Sequence, residues 1–291
     1  MEFDNISISS GKIDSTEGNP IRWDLYSPIS GTSREFPVIL FIHGFKGFKD
    51  WGAFPDACED LARSGFGVVA FNLSLNGIGD NRREFDRLDL FARQTFTQDL
   101  NDIQSVIQAL QKGEIKDSHT HLNTDYLGIV GHSRGGHLAI AAAAEFEAIQ
   151  CLVTWSAVSN YLDFWTDEVK SAWQTNGKAE TVNSRTNQVM PLDKVIYDDA
   201  KDNEARVIAL HRVKELRIPS LFIHAREDEA VPYSHSEQLH IHSAAKEKEL
   251  KLIAKAGHTF GISHPFEEDD FPKPFQQLLE ETIGWFREHL R

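Results

Sequence analysis

Three side chains in this chain of 291 residues have the types and order needed for acyl transfer to a hydroxyl. Ser133 lies within Gly131-His132-Ser133-Arg134-Gly135-Gly136, between an apolar run and an alanine-rich segment. This is the G-x-S-x-G pattern of a nucleophile elbow, where a tight strand-to-helix turn lifts a serine hydroxyl above a sheet. Glycines flank the serine because such a turn leaves no room for neighbouring β-carbons. With ordinary Gly and Ser usage the bare pattern arises by accident in roughly one chain in ten of this length, so the strand-turn-helix context is what makes it specific. A serine hydroxyl is a weak nucleophile at neutral pH, and needs a base to take its proton and a carboxylate to orient that base. Downstream, an apolar run from Ser220 ends in Glu227-Asp228-Glu229, and Ala256-Gly257-His258-Thr259 follows the final apolar run. The order Ser133, Asp228, His258 is one known arrangement of a nucleophile, acid and base. A developing oxyanion is held best by backbone N–H groups fixed in advance. The N–H groups of Phe45, in His43-Gly44-Phe45, and of Arg134, the residue after the serine, are the candidate donors.

The elements around these residues alternate. Polar-alternating stretches at Phe3 to Ser9 and Ile21 to Ser27 suggest an antiparallel hairpin, and Pro37 to His43 is a continuous apolar run that suits a strand buried on both faces. Then come a helix at about 51–64, a strand at 67–73, a helix at 96–111, a strand at 126–131, a helix at 134–146 and a strand at 151–155. A strand at 220–224, a helix at 234–245, a strand at 249–254 and a helix at 274–289 complete the series. Repeated βα alternation calls for a mainly parallel sheet of about eight strands with helices on both faces, and the whole of 1–291 reads as one α/β domain. Residues 157–218 break the alternation, and a structureless loop of that length would be unusual, so a helical cap insertion over the C-terminal strand ends is expected. It reads as a lid or as a packing excursion.

Composition narrows the function classes. Hydrophobic residues make up 41% of the chain and charged residues 25%, enough apolar material for a large core. A formal charge of −14 repels phosphate backbones and anionic lipid, so neither nucleic acid nor a membrane is an expected partner. Two cysteines, Cys58 and Cys151, are too few for a disulfide framework and sit in apolar surroundings. With no basic start followed by an apolar leader, and no run long enough to span a bilayer, a soluble cytoplasmic protein is the expectation. The pairs His119/His121 and His240/His242 lack further ligands at zinc-site spacing, so no metal is expected. His132 should point away from the serine as a core histidine, His43 should brace the oxyanion loop, and His137 should pack. Trp155, Trp165 and Trp173 either line a substrate pocket beneath the insertion or anchor its core.

Taken with His43-Gly44-Phe45, Gly131 to Gly136, Asp228 before Val231-Pro232, and Gly257-His258, the chain resembles the α/β-hydrolase superfamily from about Pro37 onward. Within it, the chain is similar to esterases related to dienelactone hydrolase, to cinnamoyl esterases and to the prolyl oligopeptidase catalytic domain. The resemblance selects Asp228 over Glu227 and Glu229 as the orienting acid, with Asp163 as the backup position used by some relatives. It implies an α/β-hydrolase fold and a cofactor-free serine esterase acting on small carboxylic esters, including aromatic acyl esters. A peptidase or acyl-peptide hydrolase is the alternative, ranked lower on the expectation that no propeller-sized domain precedes the chain; a non-catalytic binding protein of the same fold ranks below both. Two departures matter. Dienelactone hydrolase carries cysteine where this chain has Ser133, which argues against its lactone chemistry. The D-x-R-G-x-G loop of many relatives is replaced by Asn72-Leu73-Ser74-Leu75-Asn76-Gly77-Ile78-Gly79, so that loop's substrate contacts do not carry over.

Overall fold

The computed structural model describes residues 3–30, 34–82, 84–183 and 185–290. Among the described residues ten strands form two sheets. They are β1 (Ile6–Asp14), β2 (Pro20–Pro28), β3 (Glu35–Ile42), β4 (Gly67–Phe71), β5 (His121–His132), β6 (Ile149–Trp155), β7 (Lys178–Asn183), β8 (Gln188–Asp193), β9 (Ser220–Ala225) and β10 (Lys248–Ile253). The large sheet has the order β1-β2-β4-β3-β5-β6-β9-β10. The β1–β2 and β2–β4 pairs are antiparallel, and every later pair is parallel. This is the eight-stranded, mainly parallel sheet expected of an α/β-hydrolase fold. Among the described residues ten helices accompany it: α1 (Phe54–Arg63), α2 (Leu88–Phe91), α3 (Phe96–Gln111), α4 (Arg134–Glu145), α5 (Asp167–Asn176), α6 (Val195–Asp202), α7 (Glu204–Val207), α8 (Ala209–Arg212), α9 (Ser234–His242) and α10 (Lys273–His289).

The central strands need no polar face, and their residues show why. Val38 to Ile42 and Val68 to Phe71 are fully or almost fully buried, because helices cover both sides of a parallel sheet. Strand β5 begins earlier than its apolar run: Pro37 pairs with Asn123 but Val38 with Leu127, so the strand bulges before entering the core. Thr95 starts α3 by accepting the Gln98 N–H on its hydroxyl, a conventional N-cap.

The segment between β6 and β9 departs from the wholly helical expectation. Thr166 caps α5, Gly177 ends it in the left-handed conformation (φ 71°), and the chain then forms the antiparallel hairpin β7–β8 before α6, α7, α8 and a 3-10 turn. Residues alternate along this hairpin, with Ala179, Met190 and Leu192 inward and Glu180 outward, which selects a strand over a helix. None of the helices among the described residues is long and apolar enough to cross a membrane.

Candidate active site

Ser133 stands between β5 and α4 with φ 56° and ψ −115°, backbone angles that a residue with a side chain seldom adopts. The surroundings force them. Its N–H donates to the Trp155 carbonyl at 2.8 Å, continuing the β6 ladder, while its own carbonyl accepts the His137 N–H and starts the helix. A β-carbon on Gly131 would lie 2.1 Å from the Gly135 carbonyl oxygen, and one on Gly135 would lie 2.2 Å from that of Ile42. Only glycine fits either place.

The side chain of Arg134 turns away from the cavity and is buried. Its Nε and Nη2 donate to Asp99 Oδ2 at 3.2 and 2.5 Å, and its guanidinium lies 3.9 Å from the centre of the Phe96 ring. The elbow is thereby bolted to α3. Burial pushes the Asp99 carboxyl up against the pull of Arg134. Burial also raises neighbouring Asp102 to about 7, with the charge of Asp99 adding to the shift.

The candidate acid and base, Asp228 and His258, lie on the loops after β9 and β10. His258 Nδ1 lies 2.7 Å from Asp228 Oδ2. Asp228 Oδ1 accepts the N–H groups of Ala230 and Val231 at 3.0 and 2.8 Å. Burial opposes the charge, but hydrogen bonds from His224, His258 and the Val231 amide hold the carboxyl far below its usual range. An ionised carboxylate only accepts, so His258 Nδ1 carries a proton toward it. His224, fully buried in β9, supports the acid from below. Its Nε2 donates to the Val231 carbonyl at 2.8 Å and lies 3.4 Å from Asp228 Oδ2, while its Nδ1 accepts the Ser236 hydroxyl at 2.7 Å. Glu227 instead accepts the Ala256 N–H, and Asp163 accepts the Asn160 amide at 2.7 Å.

The loop after β3 faces the elbow closely. A β-carbon on Gly44 would lie 3.2 Å from Ser133 Cβ. His43 Nδ1 donates to the Gly44 carbonyl at 3.0 Å, and its Nε2 accepts the Leu73 N–H at 3.3 Å. Burial lowers the His43 pKa to about 4, so it braces the loop as a neutral ring. Among the described residues neither the Phe45 N–H nor the Arg134 N–H has a hydrogen-bond partner. The first amides of a helix are left without intrahelical partners, which accounts for the second.

Ser133 and His258 line one cavity of about 360 Å³, together with Gly44, Phe45, Trp51 and Phe54. No hydrogen bond joins Ser133 Oγ to His258 Nε2; such bonds are often long before a substrate tightens them. His132 is buried but also lines this cavity, with its ring 4.7 Å from that of His258. Its Nε2 donates to the His258 carbonyl at 2.9 Å, and burial lowers its pKa to about 3. His137 donates to the Val158 carbonyl and packs in the core.

The three tryptophans read as pocket candidates are not among the cavity's lining residues. Trp155 is buried against Phe41 and Phe275 and donates to Thr282 of α10 at 3.0 Å. Trp165 and Trp173 pack edge to face, and Trp173 donates to the Leu192 carbonyl at 2.7 Å. They anchor the segment between β6 and β9. Large aromatic area drives burial on any face, so size alone did not indicate which face. Trp51 takes the pocket position instead, and the tip of the β7–β8 hairpin adds Asn183 and Arg185. The sequence reading missed these residues, as it missed His224, whose signal was a polar ring inside the apolar run Leu221-Phe222-Ile223 four residues before the acid. Among the described residues no three His, Cys, Asp or Glu side chains gather into a potential metal site.

Residues 59–284, which span the serine, the acid and the histidine, match the profile of the prolyl oligopeptidase family. The chain belongs to the prolyl oligopeptidase family. It is thus a hydrolase on the α/β-hydrolase fold. This family member is 23% identical over 256 residues to a protein of Bacillus subtilis named as an uncharacterized peptidase, YuxL. The match covers 88% of this chain but only 35% of YuxL. A second Bacillus subtilis relative, named as the putative esterase YitV, is 22% identical over 264 residues, covering 88% of this chain and 91% of YitV. Among solved structures, Est1E from Butyrivibrio proteoclasticus with ferulic acid bound superposes with a TM-score of 0.69 at 18% identity, covering 96% of this chain and 98% of that one. That likeness extends to the fold.

Proposed function

We propose that this protein is a serine esterase that cleaves small carboxylic esters through an acyl-enzyme on Ser133. The observation that carries the reading is the 2.7 Å pair of His258 Nδ1 with the depressed Asp228 carboxylate, beside a serine held at φ 56° on the same cavity. His258 Nε2 takes the Ser133 proton as Oγ bonds to the ester carbonyl carbon. The oxygen that becomes negative is held by the N–H groups of Phe45 and Arg134, which are otherwise unused. The tetrahedral species collapses, the C–O bond to the alcohol breaks, and His258 returns its proton to the leaving oxygen. A water then repeats the sequence on the acyl-enzyme and releases the acid. Asp228 stays ionised and fixes the histidine tautomer. The aromatic wall of Phe45, Trp51 and Phe54 supports an aromatic acyl or alcohol group in the cavity.

Treatment with a fluorophosphonate should add one adduct mapping to Ser133, and Ser133→Ala should lower kcat for p-nitrophenyl acetate on the order of 10⁶-fold. A folded wild-type protein that takes no adduct overturns the reading. The family match and YuxL favour a second reading, in which the same device cleaves amide bonds. Faster turnover of aminoacyl p-nitroanilides than of matched p-nitrophenyl esters would put the peptidase first.

A further inference from the structure

We propose that Lys46 and Arg185 form an anion-binding subsite at the rim of the catalytic cavity, so that the substrate bears a carboxylate remote from its scissile bond; this rests on the serine hydrolase reading of Ser133. The chain as a whole is strongly acidic, with a formal charge of −14. Yet the cavity at Ser133 is bordered by Lys46 and Arg185, and among its described lining residues there is no Asp or Glu. The local sign of charge is the reverse of the global one.

Neither cation has an acidic partner among the described residues. Lys46 Nζ lies 3.0 Å from the Val182 carbonyl oxygen and 3.4 Å from Thr181 Oγ1. Arg185 Nη2 donates to the Lys46 carbonyl at 2.9 Å. These three contacts tie the β7–β8 tip to the loop after β3, and they join chain positions far apart in sequence. Aromatic faces hold both heads in place: the guanidinium carbon lies 5.3 Å from the centre of the Trp51 ring, and the ammonium 5.5 Å from that of Phe45. Burial lowers the pKa of each, and the charge of Arg185 lowers that of Lys46 further. A strut between two loops would need only a neutral donor. Two adjacent like charges are an unfavourable arrangement for stability alone, and a bound anion would relieve it. A guanidinium has five N–H donors in a planar fork, and most of this fork remains to meet a planar carboxylate.

The test compares esters matched in size. One pair is p-nitrophenyl butyrate with mono-p-nitrophenyl glutarate, which carries the charge on the acyl side. The other is phenyl acetate with 3-acetoxybenzoate, which carries it on the leaving group. Because Arg185 sits at the rim, the effect should be screened by salt. The wild-type ratio of kcat/KM, charged over neutral, should reach on the order of tenfold in one pair at low ionic strength and shrink markedly near about 0.5 M salt. Arg185→Gln with Lys46→Gln should bring that ratio toward one, and Arg185→Glu should invert it. Using a ratio cancels losses from folding or from the hairpin's packing. Neutral esters cleaved through Ser133 with no preference for the charged partner in either pair overturn this inference and leave the esterase reading standing. If no ester turns over, the esterase reading fails, and calorimetric binding of mono-p-nitrophenyl glutarate to Ser133→Ala protein decides the subsite. Salt-sensitive binding that the paired glutamine variant abolishes supports it, and absence of binding overturns it.

Discussion

Replacing Asp228 by Asn tests how the acid works, because the structure dictates which way the amide must turn. Asp228 Oδ1 accepts two backbone N–H groups, from Ala230 and Val231. An amide nitrogen there would face two donors, so the Asn oxygen has to take that position. The NH2 group then occupies the place of Oδ2, facing His258 Nδ1 across what is now 2.7 Å. As a donor it can pair only with an unprotonated Nδ1, which moves the imidazole proton to Nε2 and leaves the ring unable to accept the Ser133 proton. His224 Nε2, already donating to the Val231 carbonyl, would gain a donor as its second neighbour and cannot restore the arrangement. The shape of the site survives while the tautomer is reversed, a change worth on the order of 10⁴ in kcat in the serine protease where it is documented. Loss of charge-assisted bonds from a buried acid should cost a further 1–3 kcal/mol or so in stability, too little to unfold a protein of this size. The assay is kcat for p-nitrophenyl acetate at pH 7.5 on protein whose unfolding curve shows it to be native, with Asp228→Glu as a control for geometry. Activity within about tenfold of wild type in Asp228→Asn would refute the tautomer argument and leave the acid a structural role.

The remaining expectations concern stability. Burial lowers the pKa values of His43 and His137 to about 4 and of His132 to about 3. The unfolded chain therefore binds protons that the native state refuses as pH falls from about 6.5 toward 4, and each of these rings removes roughly 3 kcal/mol across that window. Asp102, raised to about 7, acts in the opposite sense, its contribution being lost as pH rises from about 4 to 7, and Asp99 is shifted the same way. At roughly 3 kcal/mol each the three rings exceed the roughly 4 kcal/mol of Asp102, so the Tm should be lower at pH 4.5 than at pH 7.5; a Tm that is flat or higher in acid would contradict the burial of neutral rings. Arg134→Met leaves Asp99 buried without its partner and should cost about 3–5 kcal/mol in denaturant unfolding, whereas adding Asp99→Leu should recover most of the loss. Gly135→Ala drives a methyl to 2.2 Å from the Ile42 carbonyl oxygen and 2.5 Å from that of His43, so soluble native protein should be lost or the midpoint fall steeply; a normal unfolding curve would mean that the elbow relaxes in a way these contacts do not suggest.

How much of this was legible before folding depended on whether position along the chain and position in space were linked. Ser133 and Asp228 follow apolar runs that must be buried strands, His258 follows the last strand pattern of the alternation, and a parallel sheet puts all such strand ends on one side, so three distant residues read as neighbours. The same rule exposed His43-Gly44-Phe45. It did not reach β7–β8. There Ala179, Met190 and Leu192 face inward, but Val182 and Val189 lie about half exposed on the outer face, at 53% and 49%, so the alternation shows in burial and not in residue type. With the hairpin unread, nothing in the sequence joined Arg185 to Lys46. The three tryptophans, which the sequence leaves open between pocket lining and core anchor, show the converse. Trp155 has a strand to fix it, but which of two buried faces it enters depends on the covering helix α10, whose Thr282 meets the indole from 127 residues away. Chemistry at the strand ends is therefore written in local pattern, whereas selectivity is written in contacts between segments that approach only after folding. The proposed subsite residues Lys46 and Arg185 are for that reason the ones this sequence conceals best.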